Sequence, residues 1–64
     1  MVTTKISALD KLHCAERELK LRYRVYPRRV DAGQMSQRTA DREIAVMEEI
    51  AADLRAAAER EGLL

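Results

Sequence analysis

Between residues 40 and 58 the apolar positions Ala40, Ile44, Met47, Ala51, Leu54 and Ala58 are separated by 4, 3, 4, 3 and 4 residues. An α-helix turns about 100° per residue, so this spacing gathers them into one narrow stripe that must face another helix. Upstream, Leu9, Leu12, Glu16, Leu19, Tyr23 and Tyr26 are spaced by 3, 4, 3, 4 and 3, a second seam with Glu16 as its polar member. Ala8 and Ala15 lie beside that seam. Two amphipathic helices of this kind predict an all-α, antiparallel helical hairpin. A weaker apolar line through Cys14, Leu21 and Val25 falls on a different side of the first helix, either as isolated surface hydrophobes or as a second contact surface.

The residues between the stripes set the expected boundaries. Thr3, Thr4 or Ser7 can cap the first helix, expected over residues 5–26. Pro27 lacks a backbone donor and disfavours helical geometry at Tyr26, which predicts a stop or kink there. Arg28 to Ala32 then form a single turn closed by Gly33 in the left-handed conformation, with Val30 and Met35 folded inward to plug the end. Ser36 is the expected cap of a second helix over 37–61, which Gly62 ends. The prediction is one domain, 1–64, with a turn over 27–36.

Composition makes this architecture thin. The chain has 64 residues, a single cysteine, no Trp or Phe, and only Tyr23 and Tyr26 as aromatics. An internal disulfide is excluded, and one stripe per helix is little apolar area to set against chain entropy. Pairing with a second copy into a four-helix arrangement is therefore expected, the core and dimer seam being drawn from Leu9, Leu12, Glu16, Leu19, Ile44, Met47, Ala51 and Leu54. Glu16 either fixes the register of that dimer, as polar seam residues do in coiled coils, or lies at the edge of a slightly rotated helix.

Net charge is only +1, but the charge is segregated. Residues 5–29 hold eight Lys or Arg and three acids, whereas residues 41–61 hold seven acids and three Arg. Antiparallel docking would lay Asp41, Glu43, Glu48 and Asp53 along Lys20, Arg22, Arg17 and Lys11 and neutralise the basic helix. If it does not, Arg17, Lys20, Arg24 and Arg28 form a ridge for phosphates, with Arg38 at the start of the second helix as a further contact. Against nucleic acid stand the acidic second helix and the lack of a third helix for a helix-turn-helix. Tyr23, Arg24, Tyr26, Arg28 and Arg29 offer another reading, because Tyr and Arg dominate protein-binding hot spots. The alternative for the two tyrosines is a place in the core or the end plug.

Chemistry is sparse. His13 and Cys14 are neighbours and point about 100° apart, so they do not chelate one ion. His13 and Glu16 reverse the Glu-before-His order of bundle metal sites. No phosphate loop, serine nucleophile motif or carboxylate pair is present, so neither an enzyme nor a cofactor or metal is expected. No apolar run approaches the ~20 residues of a membrane span, so no membrane partner is expected, and the expectation is a cytoplasmic protein.

The run AERELKLRYRVYPRRVDAGQMSQRTADREIAVMEEIAADLR, residues 15–55, resembles a group of small phage and prophage proteins with the order ERE, RVYPR, Gly, Met-Ser or Met-Thr, ADREI, Met and Ile. The resemblance spans roughly two thirds of the chain. It implies a phage-borne cytoplasmic helical protein and transfers no catalytic or binding residue. The expected function is a small non-enzymatic protein-binding or regulatory module; the alternatives are nucleic-acid binding through the basic ridge and a structural subunit of a larger assembly.

Overall fold

A computed structural model describes residues 5–64 and holds two helices, α1 (Ala8–Asp31) and α2 (Gln37–Arg60), packed side by side. Thr3 and Thr4 lie outside the described residues, and it is Ser7 that caps α1. Its hydroxyl accepts the Asp10 amide at 3.1 Å while the Asp10 carboxylate accepts the Ser7 amide at 3.1 Å. These reciprocal bonds satisfy amides that the first helical turn leaves without partners, and they start the helix at Ala8 rather than at residue 5. The same backbone and side-chain bonds from Ser7 hold the Asp10 carboxyl below its ordinary pKa.

Pro27 does not end the helix. Expected to stop near Tyr26, α1 instead runs through Pro27 to Asp31, and the turn shrinks from 27–36 to the five residues 32–36. Proline removes one backbone bond, but the segment beyond it restores contacts that need helical geometry. Arg29 lies one turn past Tyr26 and Arg22 about one turn before it, and both guanidiniums lie over its ring. The helix then closes in a Schellman turn: Gly33, at φ 73°, donates to the Val30 carbonyl at 3.0 Å and Gln34 donates to the Arg29 carbonyl at 2.8 Å. Gly62, at φ 74°, and Leu63 close α2 in the same way on Glu59 and Ala58. Ser36 caps α2 by accepting the Thr39 amide at 3.0 Å. Val30 and Met35 are partly buried at the turn.

The α2 stripe is the predicted one: Ala40, Met47 and Ala58 are buried, and Ile44, Ala51 and Leu54 are partly so. On α1 the seam is rotated. Ala8, Leu12 and Ala15 are the buried residues, and the line continues through the partly buried Leu19, Arg22 and Tyr26. Leu9 and Glu16 move to its edge and Tyr23 to the surface. Ala8 and Ala15 on α1 face the Ala58 end of α2, where small side chains let the helices pack closely, and a line through Leu9 and Glu16 would set larger side chains there. Leu12, 1 % exposed, is the one large side chain fully enclosed. Among the described residues no helix is long and apolar enough to cross a membrane.

Candidate functional site

Most of the polar chemistry collects on the turn half of α1. Arg22 points across the hairpin: its Nε donates to Glu18 at 3.0 Å and its Nη1 to the Glu43 carbonyl at 2.8 Å, with the Glu43 carboxylate 3.7 Å away. Its side chain is 20 % exposed. The Glu18 bond is the main reason that the guanidinium pKa rises further above an already high value. Arg22 also lies over the Tyr26 ring, 5.7 Å from its centroid, as does Arg29 at 5.6 Å. The consequence is an electron-rich ring with two cations at cation–π distance.

Tyr23 behaves differently from its expected seam position. It is 48 % exposed, and its hydroxyl donates to the Glu48 carboxylate of α2. That bond, ahead of desolvation and the nearby negative charge, raises the phenol pKa above its ordinary value. One tyrosine therefore ties the helices together from the outside while the other stacks against two arginines. Around them Arg24, Arg28 and Arg29 are exposed, and among the described residues none of the three joins an ion pair.

Neutralisation of the basic helix by the acidic one is not found. Of the four pairings expected, only Arg22–Glu43 forms. Lys20, Arg17 and Lys11 make no ion pair among the described residues, and Glu48 bonds Tyr23 instead. The geometry explains this, because Arg17, Lys20, Arg24 and Arg28 lie on the surface of α1 turned away from α2. Arg38 does not join that ridge. It precedes the seam residue Ala40 by two positions, as Arg28 follows Tyr26 by two, so each points about 160° from its seam with the hairpin between them.

Glu16 sits at the edge of the seam and bonds Arg55 of α2 at 2.8 Å, both side chains being partly exposed. It accordingly bridges the two helices of one chain. Arg55 carried no signal in a hydrophobic pattern, and neither did Glu61, whose carboxylate accepts the Ala8 amide at 3.5 Å and so joins the end of α2 to the start of α1. Of the expected dimer seam, Leu12 and Met47 are enclosed within the single hairpin, and Leu9, Leu19, Ile44, Ala51 and Leu54 are partly covered by it.

His13 and Cys14 are exposed, and no three His, Cys, Asp or Glu side chains among the described residues converge as metal ligands would. Cys14 and Leu21 are exposed on the outer flank of α1, with Val25 partly covered. A shallow groove runs along α2, lined by Arg42, Ala45, Val46, Glu49, Ile50 and Asp53. No protein-family model, curated protein or solved structure matches the chain.

Proposed function

We propose that this chain is a small non-enzymatic binding module of phage type, working as a homodimeric hairpin that docks on another protein through the turn half of α1. The observation that carries the reading is that Arg24, Arg28 and Arg29 are exposed on the turn half of α1 without acidic partners among the described residues, in the same stretch of helix as the half-exposed Tyr23 and as Tyr26, which stacks on Arg29. Tyrosines supply contact area at low entropic cost, and guanidiniums without an acid of their own chain match carboxylates on a partner surface. The resemblance of residues 15–55 to small phage proteins supports the phage assignment. Self-association is supported by how little the hairpin buries: six residues, four of them alanine, each alanine methyl contributing only about 0.8 kcal/mol.

The test is affinity capture from a bacterial lysate, comparing the wild type with Arg24→Ala/Arg28→Ala/Arg29→Ala. A partner retained in stoichiometric amount by the first and lost by the second is the expected result. Identical partner lists overturn the reading. A second reading, nucleic-acid binding, is favoured by one observation, the unneutralised row Arg17, Lys20, Arg24 and Arg28. It predicts that the pure protein shifts a labelled oligonucleotide with steep salt dependence, and no shift at about 50 mM salt removes it.

A further inference from the structure

The groove on α2 lies between two rows of residues one turn apart, Arg42–Val46–Ile50 and Ala45–Glu49–Asp53. Val46 and Ile50 are 39 % and 43 % exposed, and the small Ala45 leaves the gap beside them. We propose that this groove receives the α2 of a second copy of the chain, packed antiparallel about a two-fold axis passing between Met47 and Glu48. The proposal rests on the homodimer reading above and specifies the surface and orientation that reading leaves open.

A two-fold contact is made by one patch on itself, so whatever residue i meets, its counterpart meets in return. An axis at that point sets Arg42 opposite the partner's Asp53, Ala45 opposite the partner's Ile50, and Val46 opposite the partner's Glu49. Each pairing is complementary. Arg42 and Asp53 are of opposite sign and neither joins an ion pair within the chain among the described residues. Ile50 supplies the volume that Ala45 lacks, and the methylenes of Glu49 cover Val46. Parallel packing would instead place Arg42 against Arg42 and Asp53 against Asp53, which like-charge repulsion disfavours. Rows spaced by four residues interlock at a crossing angle of about −50°, and so steep a crossing confines contact to roughly three turns, the length from Arg42 to Asp53. The interface is then well below the ~1,200 Å² of a standard complex, so the dimer is weak and concentration-dependent.

The experiment is sedimentation equilibrium from about 5 to 500 µM on the wild type, Arg42→Asp, Asp53→Arg and the double variant Arg42→Asp/Asp53→Arg, with helicity checked by circular dichroism. All the substituted side chains are exposed, so the hairpin is retained. The expected result is a wild-type mass rising toward twice 7.3 kDa, a weakening of ~10-fold for each single variant because the two-fold axis doubles the effect, and recovery in the double variant. A wild-type dimer that neither single variant weakens, or that the double variant does not restore, overturns the groove assignment and leaves self-association standing. A wild type that remains a single copy across the range overturns both.

Discussion

The two halves of the hairpin are held by different physics. In the terminal half, Ala8, Leu12, Ala15 and Ala58 are buried, and the polar ties, Glu16 to Arg55 and Glu61 to the Ala8 amide, lie at the edge and the end of an apolar seam. In the turn half no residue of α1 is buried, and its seam positions are Leu19, Arg22 and Tyr26 against the buried Ala40 and Met47 and the partly buried Ile44 of α2. There the helices are tied by hydrogen bonds from Arg22 and Tyr23 to Glu43 and Glu48. Apolar packing is non-directional and stabilises in proportion to area, whereas hydrogen bonds between partly exposed groups contribute little net energy but fix orientation. The terminal half therefore supplies stability, and the turn half holds arginines and tyrosines in place without enclosing them.

Loss of the enclosed leucine should test this contrast most severely. Leu12→Ala removes the one large side chain that is fully enclosed among the described residues, at a cost of about 2–5 kcal/mol, enough to abolish cooperative melting followed by ellipticity at 222 nm. Leu19→Ala, in the partly buried turn half, should leave a measurable transition. If the two variants melt alike, the halves are not energetically distinct.

Arg22→Ala tests the other side of the comparison. Removing the bonds to Glu18 and Glu43 should cost about 1–2 kcal/mol, and Arg22→Lys should recover only part of it because one ammonium cannot reproduce the guanidinium fork. A smaller effect is expected from Gly33→Ala, about 1 kcal/mol, since the residue sits at φ 73° where an added Cβ is strained although it meets no neighbour. A melting temperature equal to wild type would mean that the turn relaxes without consequence.

The smallest effect is on the alkaline side. Hydrogen bonding to Glu48 raises the Tyr23 pKa, so this contact contributes stability below the ordinary tyrosine value and loses it as pH climbs through the raised folded value. In a Tyr26→Phe background, absorbance at 295 nm reports Tyr23 alone. Its titration should lie above that of free tyrosine, and Glu48→Gln should bring it back; a midpoint unmoved by Glu48→Gln removes the outer tie.

Much of this arrangement was legible in the chain, though unevenly. The α2 stripe, the Ser36 cap and the stops at Gly33 and Gly62 follow from spacing and local backbone chemistry, and all are present. The face of α1 was ambiguous for a physical reason. Ala8, Leu12, Ala15, Leu19, Arg22 and Tyr26 obey the same three-and-four spacing as the line through Leu9, Glu16 and Tyr23, and the two lines share Leu12, Leu19 and Tyr26. Close approach at the alanines and the bonds of Arg22 decide between them, and neither registers as hydrophobicity. Pro27 misled because its average cost in a helix is offset here by contacts one turn on either side of Tyr26. The unneutralised basic ridge was hidden because a count of charges per helix does not say which surface carries them.

Residue-resolved hydrogen exchange of the wild type at low micromolar concentration tests the central contrast most directly. The account predicts the slowest amides in α1 from Leu12 to Glu16 and in α2 from Leu54 to Ala58, with faster exchange from Tyr23 to Asp31. Equal or greater protection of the turn half would contradict it.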